Sequence, residues 1–124
     1  MEVQGHIKFT VIERSQSEVV SEMPIQPGIL NPFGTVNAGA TLWFADVTAS
    51  VLVLEGVNPE EGMKGFPLAI NINANLLGNN KSGAFIARSS YIKKGRTVSV
   101  VKTIVTDTSG KLIAEVTTSH VQSA

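Results

Sequence analysis

Apolar positions follow two rhythms along this chain. From Ala38 to Leu54 small and apolar residues occupy nearly every face of a helix, with Asn37 as its N-cap and Gly56 then Pro59 as its stop. A helix that is apolar all round belongs inside a structure rather than on its surface. Elsewhere an alternation of period two predicts strands. Ile7, Phe9 and Val11 share one side of a first segment, and Val19 to Met23 form a second. Ala69 to Leu77 puts Ile70, Ile72, Ala74 and Leu76 on one face. Asn71, Asn73 and Asn75 form a polar stripe on the other, against the low strand propensity of Asn. Gly83 to Ile92, Thr97 to Thr106 and Lys111 to Val121 complete the set. Turns at Lys93-Lys94-Gly95-Arg96 and Asp107-Thr108-Ser109-Gly110 join them, and only Gly56 to Gly65 reads as a longer loop. One enclosed helix among consecutive antiparallel hairpins is an α+β arrangement with the sheet curled around the helix. The 124 residues suffice for one core, so 1–124 reads as a single domain. Its open sheet edges call for cover, and pairing with another copy of the chain supplies it.

Composition narrows the chemistry. Ten basic and ten acidic residues cancel without clustering, which argues against nucleic acid as a partner. No cysteine is present, and His6 and His120 lie far apart, so no metal site is expected. Both histidines read as ordinary surface or strand residues, neither of them near the helix. The longest apolar stretch is about a dozen residues and carries Asp46, too short for a membrane span. Met1 to His6 lacks the segments of a signal peptide, and a cytoplasmic protein is expected.

Asp46 is the one acid inside the apolar run Leu42 to Leu54, and no base stands three or four residues away to pair with it. A buried unpaired carboxylate is costly, so it is either reactive or sits on an exposed stripe of the same helix.

Asn31-Pro32-Phe33-Gly34-Thr35-Val36-Asn37-Ala38-Gly39-Ala40, followed by Asp46, resembles the signature of hotdog-fold acyl-CoA thioesterases of the phenylacetyl-CoA/4-hydroxybenzoyl-CoA type. That signature is an Asn, a Gly-Thr, a His-Gly-Gly at the helix start, and an acid about two turns further on. Gly95-Arg96-Thr97 and Gly110-Lys111-Leu112-Ile113-Ala114 are also similar to the family, and the likeness spans residues 18 to 121. It implies a hotdog fold, hydrolysis of an acyl-CoA thioester, and coenzyme A entering as part of the substrate with no separate cofactor. It also implies a homodimer or a dimer of dimers. Three positions depart from the pattern, one of them Ala38, which replaces the first glycine and keeps its backbone N–H. Asn37 stands where the family has histidine and cannot change charge near neutral pH. Ala69 stands near a position where some relatives carry a hydroxyl.

Thioester hydrolysis requires donors for a developing oxyanion and a base or nucleophile. The N–H groups of Ala38 and Gly39, at the positive end of the helix, suit the first task. Asp46 suits the second, as base or as nucleophile. Seven residues separate Gly39 from Asp46, about 10 Å along the axis, too far for one carbonyl carbon to meet both. Two antiparallel helices across a dimer axis bring Asp46 of one subunit to the helix start of the other. Asn31 either hydrogen-bonds the thioester carbonyl, as the family match implies, or serves as a turn residue before Pro32. Asn37 either shapes the site or caps the helix, and Thr35 is a second capping candidate. Ser50 either reaches Asp46 or bonds its own backbone. The Asn71, Asn73 and Asn75 stripe either lines the acyl cleft or meets the second subunit. Trp43, Phe44 and Phe66 are acyl-pocket or core residues. Lys93, Lys94 and Arg96 are the substrate-binding candidates for the nucleotide phosphates, or a solvated hairpin tip. The competing reading is a hotdog protein that holds an acyl or aromatic ligand without hydrolysing it. A hotdog dehydratase is disfavoured because it resembles a different pattern with a catalytic histidine.

Overall fold

The computed structural model describes residues 1–122. Six strands form one antiparallel sheet: β1 (Thr10–Arg14), β2 (Glu18–Pro24), β3 (Pro67–Leu76), β4 (Ala84–Lys94), β5 (Ser99–Asp107) and β6 (Leu112–Gln122). Their order across the sheet is β1-β2-β4-β5-β6-β3. A single helix, α1 (Ala38–Val53), lies on one face, with Phe44, Ala45, Ala49 and Leu52 fully buried beneath it. The strands β2, β4, β5 and β6 present alternate residues to that helix. Val19 and Met23, Phe85 and Ala87, Val101 and Val105, and Ala114 and Val116 make the floor of the core. Truncating Phe44 to alanine in such packing would cost about 3–5 kcal/mol.

Four bulges bend the sheet around the helix. Ile12, Ile70, Ile92 and Ile113 are each the extra residue where the register slips. The bulge at Ile70 changes the expected face of β3. Ala69 pairs with His120, Ile72 with Thr118, Ala74 with Val116 and Leu76 with Ala114. Ala69 therefore shares the inner side with Ile72, Ala74 and Leu76. Asn71, Asn73 and Asn75 face outward beside Ser119, Thr117 and Glu115.

The expected elements recur within a few residues of the spans read from the pattern, with one addition and one shortening. A short 3₁₀ turn at Pro27–Ile29 precedes the helix. Pairing of the first strand starts only at Thr10, although Ile7 and Phe9 do pack on the core. The 107–110 turn is held by Asp107, whose Oδ1 accepts from the Ser109 and Lys111 N–H groups at 2.9 Å each. Gly110 there takes φ +91°, the left-handed geometry that glycine adopts freely. Among the described residues no helix is long and apolar enough to cross a membrane.

Candidate active site

The helix has one open stripe. Gly39, Leu42, Trp43 and Asp46 follow one another at helical spacing and are exposed or half-buried, while Ala45, Thr48, Ala49 and Leu52 on the opposite face are fully buried. Next to this stripe, Ile72 and Leu76 on the inner side of β3 stay about half exposed. The helix does not reach far enough to cover the edge of its own sheet.

Asp46 is half-buried, yet its Oδ1 is shut off from solvent and has no hydrogen-bond partner. Burial pushes its carboxyl above the ordinary value of 3.8, and His120 works against that shift. Ser50 does not reach the carboxylate; its hydroxyl donates to the Asp46 backbone carbonyl at 2.9 Å.

His120 corrects the reading of an ordinary residue remote from the helix. It lies on the inner side of β6, is only 1% exposed, and is close enough to Asp46 for the two charges to interact. Its Nδ1 faces the Pro67 carbonyl at 3.3 Å, which can only accept, so Nδ1 carries the hydrogen. The neutral Nε2 then accepts from the Thr118 hydroxyl at 2.7 Å. Burial holds this imidazole below 6.5, against the raising effects of the Pro67 carbonyl and Asp46. The signal was present in the chain, because His120 shares the parity of Ala114 and Val116, opposite to that of the charged Glu115.

At the helix start, Ala40 and Thr41 make the first bonds, both to the Asn37 carbonyl, at 3.1 and 3.3 Å. The Ala38 and Gly39 N–H groups precede these bonds and open toward solvent at the positive end of the helix. Asn37 occupies the N-cap position, but its side chain does not cap. Its Nδ2 instead donates to the Leu30 carbonyl at 3.2 Å. Thr35 does not cap either, being bound to Asn31. Asn31 folds its own loop: Oδ1 accepts from the Phe33 and Thr35 N–H groups at 3.0 and 3.2 Å, and Nδ2 donates to Thr35 Oγ1 at 2.9 Å. That loop fixes the approach of the chain to the helix. A cleft of about 550 Å³ opens here, with Ile7 and Ile29 facing Asn37, Gly39, Ala40 and Trp43. Phe44 is core, Phe66 is half-buried, and Trp43 stands partly exposed with its ring edge-on to Phe9 at 5.0 Å.

The cationic hairpin lies at the other end of the helix. Lys94 forms an ion pair with Glu55 and sits 5.8 Å from the Tyr91 ring centre. Burial, together with Glu55, pushes the Tyr91 hydroxyl up to about 12. Lys93 and Arg96 are exposed, and Arg96 and Lys94 border a cavity of about 370 Å³ that reaches His120. Within one chain, then, the donors and the hairpin flank opposite ends of the helix, with Asp46 between them.

No family model matches the chain. It is 25% identical over 113 residues to the 1,4-dihydroxy-2-naphthoyl-CoA hydrolase of Listeria monocytogenes serotype 1/2a (strain 10403S), covering 91% of this chain and 89% of the relative. Among solved structures it is similar to a mutant thioesterase from Staphylococcus aureus subsp. aureus Mu50. The TM-score is 0.85 at 21% identity, over 94% of this chain and 93% of that one. It is also similar to a hypothetical thioesterase with coenzyme A from Streptococcus pneumoniae TIGR4, with TM-score 0.80 at 16% identity over 93% and 88% of the two chains. The chain has the hotdog fold of these thioesterase structures.

Proposed function

We propose that this chain hydrolyses acyl-CoA thioesters through a site shared between two copies, with Asp46 as the base or nucleophile. The observation that carries this reading is the position of Asp46. It is a desolvated, unpartnered carboxylate on the same open helix stripe as the free N–H groups of Ala38 and Gly39. The named hydrolase relative and the thioesterase structures support the reaction class. The finer assignment, to the phenylacetyl-CoA/4-hydroxybenzoyl-CoA type, rests on the 31–46 motif.

In the general-base form, Asp46 takes a proton from water as its oxygen attacks the thioester carbon. The Ala38 and Gly39 N–H groups of the other copy hold the developing oxyanion. Collapse breaks the C–S bond, the acid is released, and the thiolate recovers a proton. In the nucleophilic form the carboxylate itself attacks the thioester carbon and expels the coenzyme A thiolate, giving a mixed anhydride that water then cleaves. A raised carboxyl pKa brings the base closer to neutrality and strengthens it. Asn31 positions the loop that leads into the donors. Asn37 borders the acyl cleft, and Lys93, Lys94 and Arg96 offer cations to the coenzyme A phosphates. Lys94 is shared with Glu55, so Lys93 and Arg96 are the freer pair.

Assembly is part of the proposal. Gly39 and Asp46 are seven residues apart on one straight helix, so a single chain leaves the carbonyl short of one of them. Leu68, Ile70, Ile72 and Leu76 on β3, an outermost strand, are all exposed and offer the second copy a neutral apolar edge.

One observation favours the binding-only alternative. Asn37, at the histidine position, spends its amide on Leu30 and leaves no titratable group in the cleft.

A mixing experiment tests the reading. Asp46→Asn should lower kcat by about 10²–10⁴-fold against a panel of acyl-CoA thioesters. Gly39→Pro, which removes a donor in the first turn of the helix, should be similarly impaired. Re-annealing the two dead variants should restore about a quarter of wild-type activity, since half the dimers then hold one intact site of two. Unchanged turnover in Asp46→Asn would remove that residue from the mechanism. No recovery on mixing would place donors and acid in one chain.

A further inference from the structure

Residues ahead of β1 are not an idle tail. Gly5 to Phe9 run across the 3₁₀ turn and the start of the helix as a strap with three fastenings. The first is a close backbone approach: a Cβ on Gly28 would fall 2.0 Å from the His6 carbonyl oxygen, so only glycine lets the strap lie flat there. The second is Gln26, whose Nε2 donates to the Lys8 and Pro24 carbonyls at 2.9 and 2.8 Å while its Oε1 accepts from the Lys8 N–H at 3.2 Å. The third is Phe9, edge-on to both Trp43 and Phe44 at 5.0 Å. Ile7 sits between these fastenings, half-buried, and forms part of the wall of the cleft that holds Gly39 and Ala40.

We propose that Ile7 sets the size of the acyl group this cleft accepts, and that Gln26 is the positioning residue that holds Ile7 in place. The inference rests on the thioesterase reading, because a carbonyl bound at the Gly39 donor would extend its acyl chain into this cleft. A wall of fixed position discriminates by volume. An acyl group too large for the gap loses contact with the donors, while a small one leaves apolar surface unfilled. Each methylene of misfit in an apolar pocket changes kcat/KM by about 10–200-fold. The Gln26 fork matters because a strap free to move would yield to a larger acyl group instead of rejecting it.

The experiment compares wild type, Ile7→Ala, Ile7→Trp and Gln26→Ala on acetyl-, benzoyl- and dodecanoyl-CoA, with thermal melts to confirm folding. Ile7→Ala should raise the kcat/KM ratio of dodecanoyl- to acetyl-CoA by about tenfold or more, and Ile7→Trp should lower it by a similar factor. Gln26→Ala should move the ratio in the same direction as Ile7→Ala, by a smaller factor. Equal ratios in all four folded proteins would overturn the proposal. Affinities for the matching non-hydrolysable thioethers keep the two readings apart. If no thioester turns over but thioether affinity follows the size of residue 7, the catalytic reading falls and the wall stands. If affinity is flat across the variants, the wall falls on its own.

Discussion

The two edges of the sheet differ in almost everything that governs whether a strand accepts a neighbour. At one edge β1 has five residues, carries Glu13 and Arg14, and is roofed by the loop after the helix. Arg14 makes that roof, donating to Asn58 Oδ1 at 2.7 Å and to the Val57 carbonyl. At the other edge β3 has ten residues, no charge, and a row of exposed aliphatic side chains. Short length, charge and cover are the usual devices that keep an edge from pairing. One edge uses all three and the other none. The open edge also lies on the side of the helix where Asp46 sits half-buried, so a second copy docked there would complete the proposed site.

The largest effect expected follows from charging each edge in turn. Ile72→Lys should disperse the assembly and lower activity by about a hundredfold, since an unpaired ammonium at an apolar seam costs on the order of 3 kcal/mol. Ile12→Lys, the matched change at the closed edge, should leave both properties near wild type. Light scattering alongside turnover checks the pair. Equal behaviour of the two variants would erase the distinction between the edges.

A smaller effect is expected at the roof. Arg14→Ala should cost about 1 kcal/mol, read as a lower urea midpoint at constant slope, with assembly unchanged.

The smallest effect is a pH signature of the open side. Asp46 has a raised carboxyl pKa, so the folded chain binds its proton more readily than the unfolded chain does. Stability from this group is therefore lost as pH rises through its folded pKa, and the cost is carried at neutrality. Asp46→Asn should melt higher than wild type near pH 7, with the gap closing toward pH 3.8. His120 has the opposite sign: its pKa lies below 6.5, so its contribution is present above that pH and fades as pH falls. A His120→Asn variant should lose less stability than wild type on acidification below 6.5. Melting curves across pH 4–8 on the three proteins resolve both signs.

Much of this arrangement was legible in the chain because local chemistry decides it. A run apolar on every face, closed by glycine, has little choice but to be the central helix. Asp107 with Gly110 defines its turn whatever surrounds it. The 31–46 motif brought Asn31, Asn37, Ala38, Gly39 and Asp46 onto one loop and one helix, and all five are found there. What escaped depends on partners distant in sequence. The bulge that puts Ala69 rather than Ile70 opposite His120 is a matter of how β3 meets β6. The capping roles of Asn37 and Thr35 were lost to Leu30 and Asn31, which compete for the same amide and hydroxyl. Gln26 is an unremarkable polar residue in the sequence, and only the folded strap gives its amide three partners.

The bulge at Ile70 also bears on how growth of the sheet would end. A straight, neutral, aliphatic ribbon invites chain after chain and matures into fibrils. By kinking β3 after three residues, the bulge leaves only Asn71 to Leu76, about 20 Å, as an even run for an incoming strand. A docking ledge that short would be matched by a single antiparallel twin rather than by an endless stack.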